Sequence, residues 1–326
     1  MPKDLRTFIE EMRRQMPDDV VEVNKLIDPK FEITALQQHL ENEGKFPLLI
    51  FNQVKNLKGE KSAFRLATNV FATRQKCALA LDLPKEQWRM ETSFEFARRS
   101  QQRIKPVIVD NSVAPVQQNV ITGDDVDLYE LPVVTHHKMD AKPYLVDAVV
   151  AADPETGIYN SSHHRQLIKS KNEMGLWMSP RHLWTYCQKA AKMGKPLPIV
   201  HVHGHHPGFF LGSEALVPME ADEYEVIGGV LGEPLRLTPS VTWGDRLMVP
   251  ADAEVVIEAE VLPGEFAPEG PFGEFTGYYG PQRWSPVVRV KAITYRNNPI
   301  WLNILVGHPD TSILGGIPKE AGIYEK

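Results

Sequence analysis

The stretch YLVDAVVAADPETGIYNSSHHRQLI, Tyr144 to Ile168, decides the fold. Its runs Tyr144 to Ala152 and Ile158 to Ile168 flank Asp153-Pro154-Glu155-Thr156-Gly157, which has the Asp, Pro and Gly expected of a tight turn. They read as two strands of an antiparallel hairpin. On the second strand alternate side chains share a face, so Asn160, Ser162 and His164 point one way and Ser161, His163 and Arg165 the other. Farther on, Pro198 to His203, Val255 to Val261, Val287 to Tyr295 and Ile300 to Val306 carry the β-branched enrichment of strands. Helices interrupt them. Ser179 as N-cap and Pro180 at the first position open one that Gly194 closes, and a second runs from Asp222 to Leu231 and stops at Gly232. A mainly antiparallel barrel or sandwich with inserted helices is the simplest architecture for residues 107–306.

Working outward, residues 1–106 alternate helix and strand and form an N-terminal α/β domain. Asp4 caps a helix whose Leu5, Phe8, Ile9 and Met12 recur at helical spacing, and Val20 to Val23 follows as a strand. Ile33 to Leu40 predicts a second helix, Phe46 to Phe51 a strand, and Phe71 to Leu81 and Ser93 to Arg103 two more helices. Pro106 marks the domain edge. Residues 307–326 read as the start of a further region. There Pro318 to Lys326 begins like a helix and stops within about two turns, so the chain is expected to be cut short.

With 326 residues there is length for two cores, and a net charge of −6 argues against a nucleic-acid surface as the main business. Cys77 and Cys187 lie far apart with no Cys-x-x-Cys spacing, which suggests neither a disulfide framework nor a thiolate zinc site. No run approaches the ~18 apolar residues that span a bilayer. A cytoplasmic location is the expectation.

Chemistry concentrates in Glu269-Gly270-Pro271-Phe272-Gly273-Glu274 and the Gly-rich turn that ends at Gly280. Gly and Pro punctuate both helices and strands, so this is a shaped loop that fixes two carboxylates, or else a hairpin connection with solvated acids. Asn160, His182 and Glu223 offer an amide oxygen, an imidazole and a carboxylate. That donor set suits Mn²⁺ or Mg²⁺, although a capping or core histidine and a helix-dipole glutamate fit the same positions. His201, His203, His205 and His206 form a separate histidine-rich run that could hold a metal.

Taken in order, these pieces resemble the UbiD family of decarboxylases and reversible carboxylases that use prenylated flavin mononucleotide (prFMN). The resemblance rests on Asp4-Leu5-Arg6-x-Phe8, on Asp153-Pro154-x-Thr156-Gly157 with Asn160 and Arg165-Gln166, and on Pro180-x-His182. It continues in the Glu223 helix ending Gly228-Gly229-Val230-Leu231-Gly232, in Val249-Pro250-Ala251 and, above all, in Glu269-Gly270-Pro271-Phe272-Gly273-Glu274. It implies a split β-barrel like that of flavin reductases after the α/β domain. It implies that Asn160, His182 and Glu223 hold a Mn²⁺-type ion tying down the cofactor phosphate, with a K⁺ ion nearby. Gln166 and Arg181 are implied cofactor contacts, and Arg165, Glu269 and Glu274 the catalytic network. His163, unusual for the family, is a candidate substrate contact. The resemblance further implies a flavin prenyltransferase as cofactor supplier, homo-oligomers of the full-length chain, and a C-terminal domain absent here.

Loss of CO2 from an sp² carbon leaves charge that no side chain absorbs, so a cofactor must serve as electron sink. The resemblance implies a covalent substrate–cofactor adduct, CO2 release and protonation by Glu274. Its substrate would be an aromatic, heteroaromatic or α,β-unsaturated carboxylic acid. Two other readings stay open: a non-catalytic FMN- or prFMN-binding barrel, and a metal-dependent hydrolase built on His201 to His206.

Overall fold

The computed structural model describes residues 2–324. The chain runs through α1 (Leu5–Gln15), β1 (Val20–Val23), α2 (Glu32–Asn42), β2 (Leu48–Phe51), β3 (Arg65–Thr68), α3 (Arg74–Ala80) and α4 (Glu91–Ser100). It continues with β4 (Val107–Ile108), β5 (Asn119–Thr122), β6 (Tyr144–Ala152), β7 (Tyr159–Ile168), β8 (Glu173–Leu176), α5 (His182–Lys192), β9 (Leu197–His203), α6 (Pro207–Gly212) and α7 (Glu223–Leu231). The last elements are β10 (Arg236–Ser240), β11 (Gly244–Pro250), β12 (Val255–Glu269), β13 (Phe272–Gly273), β14 (Tyr279–Gly280), β15 (Arg283–Tyr295), β16 (Ile300–Leu302) and α8 (Pro309–Tyr324).

The hairpin β6–β7 pairs antiparallel in the expected register, with Asp147 opposite His164 and Val146 opposite Arg165. It sits in the middle of a large sheet ordered β12-β9-β6-β7-β8-β15-β5. β12 pairs with β9 along one edge and with β15 along the other, so six antiparallel strands close into a ring. Closure removes the free edges that an open sheet would present. Leu145, Val149, Ala151, Ile199, Val255 and Ile257 fill one face of these strands. Ala148, Val150, Val200 and Val202 on the other face pack against Phe209 and Phe210 of α6 and Ile227 and Val230 of α7. Each fully buried aliphatic side chain of this kind contributes about 1.5–3 kcal/mol.

At the N-terminus, Asp4 accepts the Thr7 N–H while Thr7 answers through its hydroxyl, a capping box, and Leu5, Phe8, Ile9 and Met12 are buried as their spacing predicts. The adjoining sheet has the order β1-β2-β3-β16. Its last strand corrects an expectation. Ile300–Leu302 joins β3 in parallel rather than extending the large sheet, and residues 303–306 form no strand. An apolar run states that it will be buried, not against which sheet.

Two helix boundaries also differ. α5 starts at His182 with Arg181 as N-cap, so neither Ser179 nor Pro180 holds the place predicted for it. The Arg181 N–H bonds the Ser179 carbonyl, and this extra turn delays the helix by two residues. α8 begins at Pro309 and carries Pro318 in its interior, anchored by buried Leu314, Ile317 and Ala321. Tertiary burial overrides the helix-breaking tendency of one proline there. Among the described residues no helix is long and apolar enough to cross a membrane.

Candidate active site

Everything in the site is arranged along β7. At its start, Asn160 Nδ2 donates to Glu223 Oε1 at 2.8 Å, and the Ser161 backbone N–H donates to Glu223 Oε2 at 2.8 Å. His182 Nδ1 lies 3.2 Å from the same Oε1. Glu223 is delivered by the first turn of α7, which Asp222 caps through the Tyr224 N–H and Gly232 closes in the left-handed region. Burial raises the Glu223 pKa, and the His182, Ser161 and Asn160 contacts only partly offset that. The bond to Glu223 raises His182 in turn. A buried carboxylate, an imidazole and an amide oxygen are hard donors of the kind Mn²⁺ or Mg²⁺ takes. A bound cation would require the Asn160 amide to turn its Oδ1, in place of Nδ2, toward the shared centre.

These three residues line a cavity of about 510 Å³ together with Ser161, Ser162, His163, His164, Trp177 and Arg181, closed on the far side by Ser213 to Met219. That volume suits a cofactor-sized ligand. His164 donates or accepts at 3.1 Å from the Trp177 carbonyl; since a carbonyl only accepts, Nδ1 carries the proton and Nε2 faces the Ser162 hydroxyl at 2.9 Å. Gln166 does not join the others. It is buried and bonds Asp147 at 3.3 Å instead of lining the cavity.

At the other end of the strand Arg165 bonds Glu269 through both Nε at 3.1 Å and a terminal nitrogen at 3.3 Å, and its second terminal nitrogen meets Glu274. The Glu269 side chain is 0% exposed and that of Glu274 28% exposed, so the two acids face different surroundings. The guanidinium lies 5.0 Å from the centroids of both Trp177 and Phe272 and is held between them. Trp177 is common to both regions: it lines the cavity and lies against the Arg165 guanidinium, whereas Arg165, Glu269 and Glu274 do not line the cavity.

The acid loop is clamped from behind by residues that the sequence did not single out. Asp140 accepts the Gly273 N–H at 2.9 Å and the His137 N–H at 2.8 Å, the Ala141 N–H reaches Pro271, and the Tyr144 hydroxyl accepts the Gly270 N–H at 3.0 Å. Gly270 has φ of 93°, and a Cβ at Gly273 would collide with the His137 ring. Only glycine meets both demands. Trp177, Asp140 and Tyr144 gave no local signal, since each acts across a turn or between strands.

The histidine-rich run does not form one site. His201 and His203 turn into the ring toward Asp147, at 3.3 Å and 2.6 Å, and His203 stacks on Trp301 at 4.0 Å. Burial alone would raise the Asp147 pKa, but the two imidazoles bring it well below the carboxylate range. His205 packs on Phe209, and His206 accepts the Gly208 N–H. Strand alternation keeps His201 and His203 on one face, and the turn after His203 carries His205 and His206 away from them. Among the described residues no group of three His, Cys, Asp or Glu side chains is placed to hold a metal ion.

Comparison with known proteins agrees with this architecture. Residues 107–309 match the 3-octaprenyl-4-hydroxybenzoate carboxy-lyase Rift-related domain, and residues 12–91 match the N-terminal domain of the same carboxy-lyase. The chain belongs to the UbiD family. It is 33% identical over 317 residues to a phenolic acid decarboxylase of Bacillus subtilis, covering 95% of this chain and 65% of that protein. A phenolic acid decarboxylase of Sedimentibacter hydroxybenzoicus is 32% identical over 321 residues, with the same coverage of 95% and 65%. The chain thus spans about two-thirds of the length of these relatives, 65% in each case. Among solved structures, an evolved dimeric form of the UbiD-class enzyme HmfF from Pelotomaculum thermopropionicum in complex with prFMN superposes with a TM-score of 0.91 at 34% identity, covering 99% of this chain and 72% of that one. HmfF in complex with FMN gives a TM-score of 0.90 at 34% identity, covering 99% and 69%.

Proposed function

We propose that this chain carries the prFMN-binding and catalytic part of a decarboxylase acting on an aromatic, heteroaromatic or α,β-unsaturated carboxylic acid. The carrying observation is the buried Arg165 fork between Glu269 and Glu274, packed against Trp177, which also lines a cavity shared with Asn160, His182 and Glu223. In this reading the six-strand ring is the flavin-reductase-type split barrel. Asn160, His182 and Glu223 would hold a Mn²⁺ or Mg²⁺ ion, which would supply the positive charge that anchors the cofactor phosphate, with K⁺ as a companion ion. The prenylated flavin supplies the electron sink that CO2 loss from an sp² carbon requires.

The chain's own residues then do three things. Arg165, pinned by two aromatic rings and by Glu269, orients the acid loop and keeps one charge fixed. Glu269, fully buried, holds that guanidinium in place. Glu274, the more exposed partner, delivers the proton to the carbon that has lost CO2. The HmfF complexes with prFMN and FMN support the cofactor, and the phenolic acid decarboxylases support the substrate class. The proposal extends to a flavin prenyltransferase as supplier, to a homo-oligomer and to the cytoplasm.

The test is to co-express the chain with a flavin prenyltransferase and present phenolic, heteroaromatic and cinnamate-type acids in D2O. The expected result is CO2 release with one deuterium at the vacated carbon. A prFMN-loaded protein that releases no CO2 and exchanges no hydrogen with any of them would favour the non-catalytic flavin-binding module instead.

A further inference from the structure

We propose that Asp140 is the positioning residue for Glu274: it fixes the turn that carries this acid and, as a third carboxylate within reach of Arg165, makes it hold its proton. The inference rests on the reading of Glu274 as proton donor and deepens it. The backbone bonds of the turn close on themselves. The Glu274 N–H reaches the Tyr278 carbonyl at 2.9 Å, and the Gly277 N–H returns to the Glu274 carbonyl at 3.0 Å. What ties the turn down comes from the segment His137 to Ala141. There Asp140 accepts the N–H of Gly273, the residue before Glu274, at 2.9 Å, and the Met139 N–H donates to the Tyr279 hydroxyl at 3.1 Å on the far side of the turn. A displacement of Asp140 therefore reaches Glu274 through a single peptide unit, and small misplacements of a reacting group are costly.

The charges decide which acid keeps a proton. Arg165 carries one positive charge and gives Nε and one terminal nitrogen to Glu269 and the other terminal nitrogen to Glu274. Asp140 adds a further carboxylate. Burial raises its pKa, while the Gly273 and His137 N–H groups and the charges of His137 and Arg165 draw it back. One guanidinium cannot neutralise three carboxylates in partly desolvated surroundings, so one of the three holds a proton. Asp140 Oδ1 is engaged by the Gly273 N–H and Oδ2 by the His137 N–H, and Glu269 is held by two guanidinium nitrogens. The Glu274 carboxyl has Arg165 alone among the described residues, and it is the acid left to be protonated. On its outer side Asp140 lines a cavity of about 620 Å³ with Asp28, Lys30, Lys58, Lys138 and Lys142. Lys55 pairs with Asp28, and Asp127 and Glu130 with Lys58. Lys30, Lys138 and Lys142 are exposed, so solvent and salt screen them from the acids.

The experiment follows the Glu274 carboxyl by NMR in the chain without cofactor, labelled with carbon-13 at glutamate carboxyls, with Glu274→Gln assigning the resonance. In Asp140→Asn the Glu274 titration midpoint is expected to fall by about one pH unit, because a neighbouring negative charge is gone. Amide hydrogen exchange over 273–278 should quicken in the same variant. With prFMN loaded, Asp140→Asn should lower kcat about tenfold with KM within about twofold, and the basic limb of the kcat profile, where the donor loses its proton, should move to lower pH. Asp140→Glu keeps the charge but displaces the acceptor, so its midpoint should stay at the wild-type value while kcat still falls. Asp140→Ser, an acceptor without charge, carries the test if the asparagine variant does not fold. A Glu274 midpoint unchanged in both neutral variants would overturn the proposal, as would unchanged exchange and kcat in them. Wild-type turnover by Glu274→Gln would instead strike at the reading of Glu274 as donor and leave the effect of Asp140 on the midpoint standing, so the two failures are distinguishable.

Discussion

Both ends of β7 hold a buried carboxylate, and the two are neutralised in opposite ways. Glu269 has the Arg165 fork, locked between Trp177 and Phe272, and needs nothing from outside the chain. Glu223 has an amide, one backbone N–H and a partly exposed histidine, and burial still raises its pKa. One end is an ion pair completed within the chain. The other is a carboxylate that a dication would stabilise more than the chain does. The contrast explains why a single strand can serve as both the anchor and the chemical end of a site.

The largest expected effect lies at the fixed end. Glu274→Gln should lower CO2 release about 10²- to 10⁴-fold, the usual contribution of a positioned acid, while flavin stays bound as judged by its absorption. Turnover like that of wild type would remove Glu274 from the mechanism. Next comes stability, where the two ends should separate. Arg165→Ala leaves Glu269 charged and unpaired in the interior, which should cost about 3–5 kcal/mol in urea unfolding. Glu223→Gln, measured without metal, should be neutral or stabilising, because it removes a charge that burial disfavours. If both variants are destabilised equally, the comparison fails.

A smaller effect comes from the cation. Mn²⁺ at one hundred times its Kd should stabilise the wild-type chain by about 2.7 kcal/mol and should leave Glu223→Gln unchanged. Binding should strengthen as pH rises, because Glu223 and His182 both have raised pKa values and must lose protons to ligate. Thermal melts across pH with and without Mn²⁺ read both.

The last effect is outside the site. Burial pushes His136, His205 and His308 from 6.5 down to about 4. Between those values the unfolded chain binds more protons than the folded one, so their stabilisation, complete above pH 6.5, is lost as pH falls to 4. Asp310 opposes them. Burial raises it from 3.8 to about 6, so its contribution is complete below 3.8 and lost as pH rises through 6. A net fall in the melting midpoint from pH 6.5 to pH 4 is expected, and a rise would show that the aspartate dominates.

What was legible in the sequence divides along the same line. The hairpin Tyr144 to Ile168 and the α7 helix with its Gly232 stop follow from local rules, and the structure has them within a residue. The face shared by Ser161, His163 and Arg165 also follows from strand alternation alone. The convergence of Asn160, His182 and Glu223 does not, because three elements scattered along the chain meet there; their side-chain chemistry suggested a donor set, and the family resemblance singled it out. Trp177 and Asp140 had neither a periodic pattern nor a motif, and their roles come from contacts across the fold. The partner sheet of Ile300–Leu302 was hidden for a related reason, since apolar alternation is the same whichever neighbour a strand will find.

The central claim is that the cation end anchors a prenylated flavin within reach of Glu274. Native mass spectrometry with an absorption spectrum, on protein co-expressed with a flavin prenyltransferase in Mn²⁺ and K⁺, tests it most directly. The account predicts a bound mass equal to prFMN plus one divalent ion in the wild type and in Glu274→Gln, and loss of both from Glu223→Gln. A folded wild-type chain that carries neither group, or a Glu223→Gln variant that retains both, would contradict it.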